Sequence, residues 1–136
     1  MKTPDKDMHN LTHVMMTETY GRAVFAMHDL PRGTWVEVSE VLVLNSIDTP
    51  IVNSTELRDY TFTFSDTQDC LVMGIGEMFN HDDDANVIYE LMTLNGRPRM
   101  IFITRKDVKK GDQLFIDYTA DLRPNESKQE YKINMI

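Results

Sequence analysis

The sequence predicts a mainly β fold assembled from several small sheets, and three observations predict it. Short runs rich in β-branched and aromatic residues recur along the chain. Turn residues punctuate them, above all at Pro31-Arg32-Gly33, Asn95-Gly96 and Lys109-Lys110-Gly111-Asp112. Apolar residues at helical spacing are scarce.

In chain order, residues 24–26 form a short apolar strand. Residues 34–38 and 41–44 follow as two further strands after the Pro31-Arg32-Gly33 turn. A short helix is expected over 54–59. Tyr60-Thr61-Phe62-Thr63-Phe64 alternates aromatic with threonine, as a half-buried strand does. Residues 70–73 read as another strand, and a helical turn is expected around 76–79. Strands over 87–94 and 99–104 flank Asn95-Gly96, whose residues accept the positive φ angles of a tight hairpin. Pro98 cannot donate to a ladder, so a loop longer than two residues is expected there. A last apolar strand covers 114–118.

One feature goes beyond strand counting. Ala26-x-x-Asp29-Leu30-Pro31-Arg32-Gly33-x-x-Val36-x-Val38 is matched in spacing by Thr104-x-x-Asp107-Val108-Lys109-Lys110-Gly111-x-x-Leu114-x-Ile116. Internal pseudo-symmetry and two ordinary Asp-to-Gly turns both account for it, and both stay open.

The 136 residues suffice for one domain with a modest core. The formal net charge of -8 lacks the basic stripe of a nucleic-acid footprint. It suits solubility or a Lys/Arg-rich partner. Cys70 is the only cysteine, too few for an internal disulfide or a cysteine-rich zinc cluster, and its apolar neighbours make it a core residue. Neither a signal-peptide stretch nor a membrane-length apolar run is present. A soluble intracellular protein is therefore expected.

Three segments carry the functional signal. They are Gly21-Arg22-Ala23-Val24-Phe25-Ala26 with Asp29-Leu30-Pro31-Arg32-Gly33, Gly74-Ile75-Gly76-Glu77-Met78-Phe79-Asn80-His81 through Asn86, and Ile103-Thr104-Arg105-Lys106-Asp107-Val108-Lys109-Lys110 through Gly111-Asp112-Gln113-Leu114-Phe115-Ile116-Asp117-Tyr118. Each is weak alone, but together, in this order, the sequence resembles the SET-domain family of protein-lysine methyltransferases from about Tyr20 to Tyr118. The resemblance is strongest to the minimal viral members, which also lack cysteine-rich flanking domains.

The resemblance implies a SET-domain (β-clip-like) fold with a C-terminal pseudoknot that brings Asn80 and His81 beside Tyr118. It divides the chain into an N-terminal segment (1–13), a SET domain (14–122) and a tail (123–136) in which Tyr131, Ile133 and Ile136 could dock. It implies S-adenosyl-L-methionine as cofactor, with Gly21, Arg22, Ala23, Tyr60, Asn80 and His81 around it. Tyr118 becomes the catalytic residue, and Tyr60, Phe79, Phe115 and Leu122 line the substrate channel. The implied partner is a Lys-containing protein or peptide such as a histone tail. A histone substrate implies the nucleus, and the resemblance leaves a homodimer open. Neither nucleic acid nor a membrane is an expected partner.

The chemistry fits such a site. Free lysine has a pKa of about 10.4, so nearly every side chain is a non-nucleophilic ammonium at neutral pH. Desolvation and a nearby positive sulfonium favour the neutral amine. A narrow channel with oriented acceptors then serves better than a strong base, and activity is expected to rise with pH.

The sequence departs from the family pattern in five places. Ala23 stands for a glycine, Asp82 for serine, Ala85 for proline and Gln113 for glutamate, and Leu122 replaces an aromatic residue. Ala23 and Leu122 keep a second reading open, a catalytically weak or inactive SET-like module that binds a basic peptide. A metal site formed by His81, Asp82, Asp83 and Asp84, with Glu77 nearby, is a third reading. The alternating spacing of a calcium loop is missing, so no metal is expected.

Overall fold

The structure, a computed structural model, describes residues 10–121. Nine strands form two sheets. β1 (Thr12–Thr17), β2 (Gly21–Ala26), β9 (Gln113–Ile116) and β6 (Asn80–His81) lie side by side in the first. β4 (Thr61–Thr63), β5 (Asp69–Val72), β3 (Trp35–Val43), β8 (Arg97–Thr104) and β7 (Val87–Leu94) make the second, in that spatial order. Among the described residues, helix is confined to α1 (Asp48–Val52) and short 3₁₀ turns, among them Glu56–Tyr60, Ile75–Met78 and Tyr118–Asp121. No helix among the described residues is long and apolar enough to cross a membrane.

β8 shows how the sequence sets the core. Met100 to Thr104 are all buried, so the strand has protein on both faces. Met100 and Phe102 face the main core with Val24, Val36, Phe79, Leu114 and Ile116, while Ile101 and Ile103 join Trp35 on the other side. The period of two thus divides one apolar run between two clusters. Phe79 stacks on Phe102 with ring centroids 4.8 Å apart, anchoring the segment before Asn80. Cys70 is fully buried, as expected of a core residue.

Several expectations need correction. β1 was not foreseen, because most of its side chains are exposed and its place is fixed by backbone pairing with β2. It spans Thr12–Thr17 and pairs with β2 along its whole length. The strands expected over 34–38 and 41–44 are one strand, β3, which pairs β8 up to Glu40 and β5 from Val41. The polar pair Ser39-Glu40 lies at this change of partner. The helix expected over 54–59 is replaced by α1 upstream and the 3₁₀ turn Glu56–Tyr60, capped by Thr55 on the Leu57 N–H. Tyr60 ends that turn, and the strand begins at Thr61.

The hairpin loop is two residues long, with Asn95 at φ 53° and Gly96 at φ 77° and Leu94 paired to Arg97. Pro98 does not lengthen it. In such a hairpin Leu94 and Arg97 form the hydrogen-bonded pair, so position 98 needs no N–H toward β7. On its other side β8 pairs with β3 only from Arg99 onward.

The matched spacings are a true internal two-fold. Leu30 and Val108 exchange backbone bonds of 2.7 and 2.8 Å. Asp29 Oδ1 accepts from the Lys110 N–H at 2.9 Å, and Asp107 Oδ1 accepts from the Arg32 N–H at 2.8 Å. Gly111 donates to the Ala26 carbonyl as Gly33 donates to that of Thr104. Each unit closes the other unit's turn, which seats β9 beside β2.

Candidate active site

Three distant segments meet where β6 lies parallel to β9, with Asn80 opposite Phe115 and His81 opposite Ile116. This is the juxtaposition that the expected pseudoknot would create. Asn80 Nδ2 donates to the Arg22 carbonyl at 2.9 Å and to Gln113 Oε1 at 3.1 Å, tying β2, β6 and β9 together. Asn86 braces the same strand. Its Nδ2 donates to the Gln113 carbonyl at 2.9 Å, and its Oδ1 accepts from the Phe115 N–H at 2.8 Å.

His81 connects this frame to Tyr118. The Tyr118 backbone N–H donates to Nδ1 of His81 at 2.9 Å, and the two rings lie 5.1 Å apart. A backbone N–H can only donate, so Nδ1 is the acceptor and Nε2 carries the proton. That Nε2–H points at Asp83 Oδ1, 2.8 Å away.

Tyr118 is 52% exposed, and its hydroxyl donates to the Phe79 carbonyl at 2.8 Å. With the proton so placed, the phenolic oxygen offers acceptor lone pairs to whatever approaches. Burial, reinforced by the nearby Glu77 and Tyr60, pushes the phenol above its usual pKa, so it stays neutral.

Beside Tyr118 is a partly open cavity of about 280 Å³. Tyr60, Phe62, Glu77, Phe79, Tyr89 and Tyr118 line it, with Arg58 and Asp59 also on its wall. Small-molecule sites usually run from about 300 to 1,000 Å³, so this space suits one unbranched side chain better than a whole nucleoside. Gly76 also borders the cavity and has no room for a side chain: a Cβ would lie 2.5 Å from Val72 Cγ1 and 2.7 Å from Phe102 Cε1.

Burial pushes the Glu77 carboxyl up to about 7, with the Val72 backbone hydrogen bond opposing the shift. Glu77 Oε1 is buried and lacks a hydrogen-bond partner among the described residues. Such a group costs about 1–3 kcal/mol, so its position calls for a physical account.

The chain matches the SET domain family over residues 21–119. It belongs to that family. A Schizosaccharomyces pombe relative, histone-lysine N-methyltransferase, H3 lysine-37 specific, is 29% identical over 133 residues, covering 88% of this chain and 89% of the relative. The Xenopus laevis N-lysine methyltransferase KMT5A-A is 24% identical over 110 residues, covering 72% of this chain and 33% of its own. Among solved structures, one described as a Plasmodium falciparum histone methyltransferase superposes with a TM-score of 0.67 at 21% identity, covering 79% of this chain and 91% of that one. The Chaetomium thermophilum Polycomb Repressive Complex 2, autoinhibited and bound to S-adenosylmethionine, gives 0.66 at 22% identity, covering 91% of this chain and 16% of that one.

The SET domain brings Tyr60, Phe79 and Tyr118 to one cavity, and Arg22, Asn80 and His81 to the adjoining β2–β9–β6 frame. Phe115 is not among the cavity's lining residues; its ring packs edge-on against Tyr20 at 5.5 Å. Ala23 is fully enclosed in β2, so its extra methyl is taken up by the core. Leu122 and Tyr131 lie outside the described residues.

The acidic run is engaged by neighbouring groups of the chain. Asp82 Oδ1 accepts from the Asp84 N–H, Asp83 takes His81, and Asp84 pairs with Arg105 and Lys106. His81, Asp83 and Asp117 do cluster. In this arrangement Nε2 faces Asp83 at 2.8 Å, while Nδ1 accepts the Tyr118 N–H and lies 3.7 Å from Asp117.

The cavity's Glu77, Arg58, Asp59, Phe62 and Tyr89 were absent from the expected site. Glu77 had a signal, a lone charge among Gly76, Met78 and Phe79. Arg58 and Asp59 come with Tyr60 on the Glu56–Tyr60 turn, and Phe62 and Tyr89 arrive through strand pairing.

Proposed function

We propose that this chain is an S-adenosylmethionine-dependent protein-lysine N-methyltransferase. The observation that carries the reading is Tyr118: its backbone is held by His81 and its hydroxyl by Phe79, and its ring borders a side-chain-sized cavity.

The donor set fits the cofactor's amino-acid part. Arg22 is exposed and makes no ion pair among the described residues, which suits a carboxylate. With the Asn80 amide nitrogen already donating, its Oδ1 remains to accept from an ammonium. When bound, S-adenosylmethionine supplies a methyl group activated by positive sulfur. Gly21, Arg22, Asn80 and His81, on the β2–β9–β6 frame, would hold it, and Tyr60 would contribute from the cavity wall. Tyr118 accepts a hydrogen bond from the entering amine and so directs the nitrogen lone pair, while Phe79 and Tyr60 exclude water.

The substrate is a Lys-containing polypeptide. A histone tail is favoured by the net charge of -8 and by the activity named for the fission-yeast relative, and it would place the protein in the nucleus. Two copies could pair through Val14, Met15 and Met16 of β1, all exposed, and sedimentation would check that assembly.

Radiolabelled methyl donor mixed with purified core histones tests the reading. Transfer by the wild type that falls at least about 100-fold in Tyr118→Phe is expected, with folding retained. Cofactor binding without transfer would favour the inactive module instead.

A further inference from the structure

We infer that Glu77 receives the ε-ammonium of the substrate lysine inside this cavity and accepts its proton. This rests on the methyltransferase reading and adds a general base to it.

Geometry points to Glu77. It borders the same cavity as Tyr60 and Tyr118, and its Oε1 is buried with no hydrogen-bond partner among the described residues. Its carboxyl-bearing side chain borders a space sized for one side chain, which places an acid beside whatever donor the occupant brings. An alkylammonium has three. Competing acceptors are poorer. The Tyr118 phenol is held in its neutral form, so it can accept a hydrogen bond from the amine but not its proton. Asp59 borders the cavity but is exposed to solvent. Arg58, Tyr60 and Tyr89 are the other titratable groups facing the cavity, and none is an acid of carboxylate strength.

The proton step balances. One N–H bond of the ammonium breaks and one O–H bond forms on Glu77, while nitrogen keeps the electron pair. Ammonium and carboxylate become amine and carboxylic acid, without change in total charge. Desolvation raises the pKa of an acid and lowers that of an amine, so the cavity favours the transfer at both ends. The carboxyl group, poised at about 7, is ionised at working pH yet able to hold a proton.

Two measurements decide the matter. The first is the single-turnover rate of methyl transfer to purified core histones against pH, for wild type, Glu77→Gln and Glu77→Asp. The wild-type rate should rise about tenfold per pH unit below 7 and then level, as a single base ionises. Glu77→Gln should lose that limb and fall roughly 100-fold, with Glu77→Asp in between and all three melting cooperatively. A Gln variant that keeps the limb and stays within about twofold of wild type overturns the role.

The second needs no methyl donor: carboxyl-¹³C glutamate NMR of the full chain, with the Glu77 signal assigned by its loss in Glu77→Gln. Adding n-butylammonium chloride above pH 7 should move that signal saturably, and sodium chloride should not. Equal responses to both salts overturn the inference. Absence of wild-type transfer to histones sinks the histone methyltransferase reading instead, and the NMR result still decides whether Glu77 receives an alkylammonium.

Discussion

His81 Nδ1 accepts the backbone N–H of Tyr118 at 2.9 Å, across 37 positions of sequence. The bond makes the histidine a positioning residue, because it sets the height of the tyrosine over the cavity. Asparagine can place its Oδ1 near where Nδ1 lies, and alanine cannot. His81→Ala should therefore cost about 1 kcal/mol and lower methyl transfer, while His81→Asn recovers part of both. Thermal melts and initial rates check this. Equal losses in the two variants would show that the imidazole matters for something other than its acceptor.

Glu77 should leave its mark on stability as well as on rate. Its folded pKa, about 7, lies above the ordinary 4.5 because burial penalises the charge. The stability it contributes is thus fully present below about pH 4.5 and is lost as pH rises through about 7. Glutamine is neutral throughout, and other ionisations largely cancel in a difference. The melting temperature of Glu77→Gln minus that of wild type should climb from acid to neutral pH. A difference that stays constant over this window contradicts the buried, ionising carboxylate.

Much of the frame was legible in the sequence, and for definite reasons. The Asn95-Gly96 turn and the apolar run through Met100 and Phe102 declare themselves by local chemistry. So do the three motifs, whose order carried Tyr118, Asn80 and His81 into one place. What stayed hidden depends on partners distant in sequence. β1 shows mostly exposed side chains, β3 changes neighbour at Glu40 and Val41, and Phe115 turns toward Tyr20. The cavity wall joins the turn at Glu56–Tyr60 to Glu77 and Tyr89, a meeting that no periodicity encodes.

Gly76 tests how tightly that wall is seated. An added Cβ would meet Val72 and Phe102 at distances no real contact shows, with Ser39 Oγ also only 2.8 Å away. All three neighbours are buried, so none can simply swing into solvent. Gly76→Ala should lose about 1–3 kcal/mol and displace the Ile75–Met78 turn, reducing methyl transfer beyond the loss of folded protein. Denaturant melts with rates normalised to folded fraction separate the two effects. Wild-type stability in the variant would mean that the turn is looser than these distances say.

The internal two-fold makes a sharper demand, because related positions should respond alike. Asp29 caps the Lys110 N–H and Asp107 caps the Arg32 N–H, at 2.9 and 2.8 Å, on opposite sides of the Leu30–Val108 bridge. Both carboxylates sit on exposed turns, so each hydrogen bond is worth about 1 kcal/mol rather than the larger value of a buried one. Asp29→Ala and Asp107→Ala should therefore destabilise to nearly the same extent. The asparagine variants, which keep Oδ1, should stay close to wild type. Two independent turns would have no reason to match, since Pro31-Arg32 and Lys109-Lys110 differ in stiffness and charge. Interlocked turns do, because each aspartate braces the opposite unit and both losses loosen the same seam between β2 and β9. Urea unfolding of the four variants measures this, and one alanine costing several times the other would break the symmetry argument.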